Sequence, residues 1–202
     1  MQFAVLTGDF VGSSDMPPAA LDAAMAALRA GVTAAGSWPG IETAGFARRG
    51  GDGWQAALCP PAYGVRLALW LRALLRRNDL GLTRVALSEG DGTLPASGDP
   101  NAAHGPAFIA SGRALEGLSG TLQMSHAAGG ARQAACVLSD HISRGWTQAQ
   151  ARTLCELLPP RADTHAEAAA RLGISRQAVD QAARAAGLPA LLAALDAMER
   201  AT

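Results

Sequence analysis

Lysine is absent from this chain of 202 residues: all seventeen basic residues are arginine. That excludes chemistry needing a primary amine, including a Walker-A phosphate lysine, a Schiff base or a catalytic ammonium group. Charge of one sign is also lacking, because seventeen acidic residues bring the formal net charge to zero. From Thr147 onward six arginines face six acidic residues, so no basic domain announces nucleic acid. Phosphate contacts supply most non-specific DNA affinity, and a neutral protein reading DNA would need two copies on paired half-sites.

Cysteine is sparse. Cys59, Cys136 and Cys155 are odd in number, far apart and outside any CxxC arrangement, so they suggest neither a disulfide framework nor a zinc site. A reducing cytoplasm is the expected compartment. His104, His126, His141 and His165 lack metal-ligand spacing. The apolar run Phe3 to Leu6 is too short for a signal peptide and has no basic leader. No stretch approaches transmembrane length, so no membrane partner is expected.

What is present is clearest near the C-terminus. Thr164-His-Ala-Glu-Ala-Ala-Ala-Arg-Leu-Gly-Ile-Ser-Arg-Gln-Ala-Val-Asp-Gln-Ala-Ala-Arg184 reads as a helix, a Gly-containing turn and a second helix. Thr164 with Glu167 has capping-box spacing, and Ser175 is placed to cap the second helix. Two short helices crossing steeply need a small residue at the crossing and apolar anchors around it. Ala169 fills the first role, and Leu172, Ile174 and Val179 are expected to fill the second. Gly173 suits the left-handed conformation that ends a helix. The second helix would then present Ser175, Arg176, Gln177, Asp180, Gln181 and Arg184 outward. Arg and Gln make bidentate contacts to guanine and adenine edges, so Ser175, Arg176, Gln177, Gln181 and Arg184 are the candidate DNA-binding residues. An ordinary helical hairpin, or one turned to protein contacts, is the alternative.

The larger N-terminal part mixes strands and helices. Gln2 to Thr7 reads as a buried strand delivering Asp9 to a loop. Ala19 to Ala35 is an amphipathic helix by the spacing of Leu21, Met25, Leu28 and Val32. Ile41 to Arg48 and Trp54 to Leu58 read as strands around an Arg49-Gly-Gly-Asp-Gly53 turn, which makes a hairpin. A core helix opens at Pro61 and runs through Arg77. A strand at Leu82 to Ser88, a loop from Glu89 to Pro100, a helix from Gly105 to Leu118 and a strand at Thr121 to Ser125 complete the series. The order β-α-β-β-α-β with a further αβ unit is that of an α+β fold, a ferredoxin-like core elaborated at its C-terminal end. A connecting helix is expected over 129–146, with Trp146 as a packing residue. The domains expected are thus 1–128, the connector, and a helix-turn-helix segment over 147–202.

In this topology Asp9 and Asp52 would come together, and paired carboxylates beside flexible glycines suit Mg²⁺ with a nucleotide's phosphates. Turn formation is the competing role for both. Leu6-Thr-Gly-Asp-Phe-Val-Gly-Ser-Ser14, Arg49-Gly-Gly-Asp-Gly-Trp54 and Gly105-Pro-Ala-Phe-Ile-Ala-Ser-Gly-Arg113 together resemble the nucleotidyl-cyclase superfamily, including class III adenylate cyclases and GGDEF domains. With the helical C-terminus added, the whole chain is similar to the SatD family, small bacterial proteins treated as regulators.

The resemblance implies a nucleotidyl-cyclase-like α/β sandwich. It puts Asp9 and Asp52 on metal positions, the backbone of Phe10, Val11 and Gly12 near phosphates, and Arg113 on the arginine that neutralises transition-state charge. Ser13 is a hydroxyl for either phosphate or a cap, and a solvated helix position is the alternative for Arg113. Three departures stand out: Ile109 replaces an asparagine, the catalytic lysine is missing, and Gly53 replaces an acidic residue. Each lost polar group costs several kcal/mol of barrier. The leading expectation is therefore a DNA-binding transcriptional regulator, a homodimer, whose cyclase-like domain binds a ligand such as a nucleotide with Mg²⁺ or mainly dimerises. A cyclase-like enzyme acting on nucleoside triphosphates and a protein-interaction module are the alternatives.

Overall fold

The hydrophobic alternation of the first ten residues becomes a strand with two different buried faces. In the structure, a computed structural model describing residues 1–160 and 164–200, β1 (Gln2–Phe10) turns Phe3 and Val5 to one face of the sheet and Leu6 and Phe10 to the other. Period-2 alternation allows one strand to serve two cores. β1 is flanked on one side by β3 (Gly53–Cys59) and on the other by β4 (Thr83–Asp91), both antiparallel to it. β2 (Thr43–Arg49) pairs antiparallel with β3, and β5 (Met124–His126) runs parallel to β4.

The resulting five-stranded order is β2-β3-β1-β4-β5. Its first four strands are the split β-α-β arrangement of a ferredoxin-like core, and the parallel β5 is the expected elaboration. α1 (Pro18–Ala35) and α2 (Gly64–Arg77) cover one face, with Leu28, Val32, Leu67 and Leu71 buried there. α3 (Pro106–Glu116) covers the other face through Phe108 and Ala107 against Phe3 and Val5.

Two expected boundaries move for identifiable reasons. β1 does not end at Thr7: it continues to Phe10 because β4 pairs with it along its whole length, Gln2 opposite Asp91 and Phe10 opposite Thr83. Asp9 is therefore a strand residue opposite Arg84, and not a loop residue. A 3-10 turn at Pro61–Tyr63 precedes α2, which starts at Gly64, where a side chain would collide with Ala4 of β1.

The C-terminal helices are α4 (Gly130–Arg144), α5 (Gln148–Leu157), α6 (His165–Leu172), α7 (Arg176–Ala185) and α8 (Leu188–Arg200). One hydrophobic cluster runs from Leu6 through Trp70 and Leu154 to Val179 and Leu195, so these helices share the core of α1 and α2. Polar stitches accompany it. The indole N–H of Trp70 donates to the Cys155 carbonyl at 3.0 Å, and that of Trp146 to the Ala186 carbonyl at 3.0 Å, which gives Trp146 its packing role. The buried Arg66 donates to the Leu158 carbonyl and to Asp196 and Glu199. Arg72, also buried, donates to Asp140 at 2.8 Å, and Asp140 in turn accepts from the Gln123 backbone at 3.0 Å. Among the described residues no helix is long and apolar enough to cross a membrane.

Candidate functional site

Asp9 and Asp52 reach the same end of the sheet. Gly8 is paired with Trp54, so the end of β1 lies beside the start of β3 and the hairpin turn carrying Asp52. Their partners differ from the expectation. Both oxygens of Asp9 accept from Arg84, Oδ1 from Nε at 2.8 Å and Oδ2 from Nη2. The hydrogen bond to Asp9, reinforced by the charges of Asp9 and Asp52, holds the Arg84 guanidinium above its ordinary value. Asp52 accepts from the Ser13 hydroxyl at 2.5 Å, which ties the loop after β1 to the β2–β3 turn.

In this arrangement a fixed guanidinium, not a divalent ion, neutralises Asp9. Mg²⁺ takes open carboxylate oxygens in octahedral geometry, and Arg84 already holds both of Asp9's in a bidentate fork. Among the described residues no group of three or more His, Cys, Asp or Glu side chains is gathered to hold a metal. At this corner both Asp9 oxygens are thus taken by Arg84, and Asp52 is bonded by Ser13 through one of its two.

In the expected phosphate loop one backbone donor is taken by the sheet. Phe10 is buried, and the Val11 backbone N–H donates to the Leu82 carbonyl at 2.9 Å. Gly12 takes a left-handed conformation with φ 66°, which starts the 3-10 turn Ser13–Asp15. Ser13 donates to Asp52.

Arg113 lies elsewhere. It is exposed on α3 and lines a cavity of about 500 Å³ together with Arg49, Gln55, His104, Phe108 and Glu116. Asp9, Asp52 and Ser13 do not line it. Gln55 is 1% exposed, and its amide donates to the Thr7 hydroxyl at 2.9 Å. Thr7 bonds Ser111 of α3 at 2.7 Å, and Ser111 donates on to the Phe108 carbonyl at 3.1 Å. With Ser111 donating onward, Thr7 is the donor to it, so a directed run of hydrogen bonds seats α3 on the sheet. Ile109, at the position of the cyclase asparagine, is exposed.

The helix pair at the C-terminus follows its local signals closely. Thr164 and Glu167 form both halves of the capping box, and the Ser175 hydroxyl accepts from the Ala178 backbone at 3.1 Å. Gly173 ends α6 with φ 66°. Ala169 and Val179 are buried as expected, but Ile174 is 44% exposed and is not an anchor. It sits in the turn itself, where its side chain leaves the crossing; Ala183 and Ala186 join the buried face instead. Ser175, Arg176, Gln177, Gln181 and Arg184 are all exposed. Gln177, Gln181 and Arg184 stand at helical spacings of four and three, one stripe opposite Val179 and Ala183. Asp180 is paired with His165, and that bond pulls its carboxyl below the ordinary range.

Arg84 and His104 lie outside the motifs, and Arg49 opens the Arg49-to-Trp54 turn motif with no role assigned to it there. Arg84 acquires its role only from the β1–β4 register, and Arg49 and His104 meet only when the segment before α3 folds over β2. The alternation of Arg84 with buried Val85 in a strand was the one local hint.

Strand order and helix placement define an α+β protein with a ferredoxin-like core extended by one parallel strand. No protein-family model matches the chain, and no curated protein sequence matches it. Among solved structures a guanylyl cyclase, Cya2, is similar at a TM-score of 0.45 and 15% identity, over 64% of this chain and 79% of that one. At that level the likeness is too slight to bear on activity.

Proposed function

We propose that the chain is a DNA-binding regulator in which α7 reads DNA and the five-stranded part supplies a ligand site or a dimer contact. The observation that carries this reading is the exposed stripe on α7, capped by Ser175 and set on the second helix of a turn-linked pair. Its Arg and Gln side chains are those that read base edges, each good bidentate contact contributing about 1–3 kcal/mol of discrimination. The neutral charge balance favours a homodimer, because one copy has too few cations to hold a duplex. The alternative of an enzyme acting on nucleoside triphosphates has less support, since Arg84 occupies the carboxylate that such chemistry needs for metal. Enrichment of random-sequence DNA by the purified chain tests the proposal. A recurring sequence in the bound pool supports it, and a bound pool without enrichment at low salt removes it.

A further inference from the structure

The cavity lined by Arg113 has a use that neither the helix pair nor the Asp9 corner explains. Its volume of about 500 Å³ lies within the range of small-molecule sites. Two guanidinium groups, Arg49 and Arg113, and the His104 ring line it against a single carboxylate, Glu116. Among the described residues neither Arg49 nor Arg113 has a hydrogen-bond or ion-pair partner for its side chain, unlike Arg48, Arg66, Arg72 and Arg84.

The walls are set without a ligand. A side chain at Gly45 would lie 2.3 Å from the Gly98 carbonyl oxygen, and one at Gly105 would lie 2.7 Å from the Gly92 backbone. These glycines let the segment between β4 and α3 press against the sheet. Asn101 adds a bond to the Arg48 carbonyl at 3.1 Å, and Thr93 and His104 exchange backbone bonds at 2.8 and 3.1 Å. The floor is the buried Gln55, held by Thr7. Gly112 is the telling residue. Glycine inside a helix is unfavourable, yet no protein atom lies within 4 Å of where its side chain would begin, and it lines the cavity. A side chain placed there would meet no protein atom and would enter the open space of the cavity.

We infer that this cavity binds a small organic phosphate, its phosphate taken by Arg49 and Arg113 and its apolar body by Phe108 and Ile109. Guanidinium forks match phosphate oxygens bidentately, and the apolar wall selects against the bare ion. The inference rests on the ligand-binding half of the proposed function and is independent of its DNA half.

Calorimetric titration of the full chain at low salt, with AMP, GMP, ribose 5-phosphate and inorganic phosphate as probes, tests it. At least one organic phosphate binds, and Arg49→Gln and Arg113→Gln each weaken it roughly tenfold or more. Gly112→Leu blocks the same probe without changing charge, and circular dichroism verifies that each variant keeps its fold. Three results overturn the inference: no organic phosphate binds at millimolar concentration, inorganic phosphate binds as tightly as the best organic probe, or binding survives all three variants unchanged. Failure here leaves enrichment of DNA untouched, and failure of enrichment leaves this titration untouched.

Discussion

Arg84 is the residue that most changes what the N-terminal motifs mean. Gly8-Asp9 and Gly51-Asp52-Gly53 do bring two carboxylates to one corner, but there a guanidinium from the neighbouring strand bonds Asp9. Arg84→Ala should free Asp9 and let the corner take a divalent ion, so Mn²⁺ binding followed by electron paramagnetic resonance should rise above that of the parent chain. Equal binding by both proteins would refute this account of Arg84. The cysteines make a second residue-scale case. Burial pushes the thiols of Cys136 and Cys155 up to about 12, and burial also raises Cys59. Because the thiolate is the reactive form, a chromogenic disulfide at pH 8 should label none of the three in the folded chain and all three after denaturation. That the corner would form was legible from glycines and aspartates placed at strand ends. That Arg84 would fill it was not, because a cross-strand partner depends on a register no local pattern states.

At the scale of the element, α6 and α7 were the most legible because their signals are local. A capping box needs only residues three positions apart, and Thr164 with Glu167 forms one as the spacing predicts. Ile174 failed as an anchor for the opposite reason, since whether a turn residue points in or out is decided by the helices it joins. The pair carries a pH dependence of definite sign. Backbone and side-chain bonds from Thr164 hold Glu167 below the ordinary carboxylate range, and His165 does the same for Asp180. A carboxyl whose folded pKa is depressed contributes stability that is present above its unfolded value and lost as pH falls through the folded one. Amide exchange in α6 and α7 should therefore stay slow at neutral pH and accelerate relative to the β-sheet below about pH 4. A loss of protection in α6 and α7 relative to the β-sheet on raising the pH from 5 to 7 would instead reverse the assignment. The strands were legible in order but not in length: β1 and β4 extend to match each other, and only their pairing sets where they stop.

For the whole molecule, one hydrophobic cluster runs through both the sheet with its helices and the C-terminal helices. Hydrophobic periodicity marks α5 to α8 as amphipathic but leaves their partner unnamed; in the fold α5 packs on α2, α6 and α7 pack on α5, and α8 packs on α7 and the turn at Pro61–Tyr63, all within that cluster. The fully buried Arg72–Asp140 pair joins α2 to α4 within the same structure. Removing one partner of a buried pair strands the other charge, so Arg72→Ala should destabilise the chain by about 3–5 kcal/mol. Helix content and tryptophan signal should fall together in urea, and separate transitions would contradict a shared core.

In the proposed function the exposed stripe of α7 reads DNA. Its most direct measurement is enrichment of random-sequence DNA by the full chain and by the Arg176→Ala/Gln177→Ala double variant, side by side at one stated low salt concentration. The parent chain should yield a recurrent pair of half-sites about 10 base pairs apart, lost in the variant, whose substitutions fall at exposed positions. No enrichment by the parent chain, or the same sequences recovered by both proteins, would contradict it.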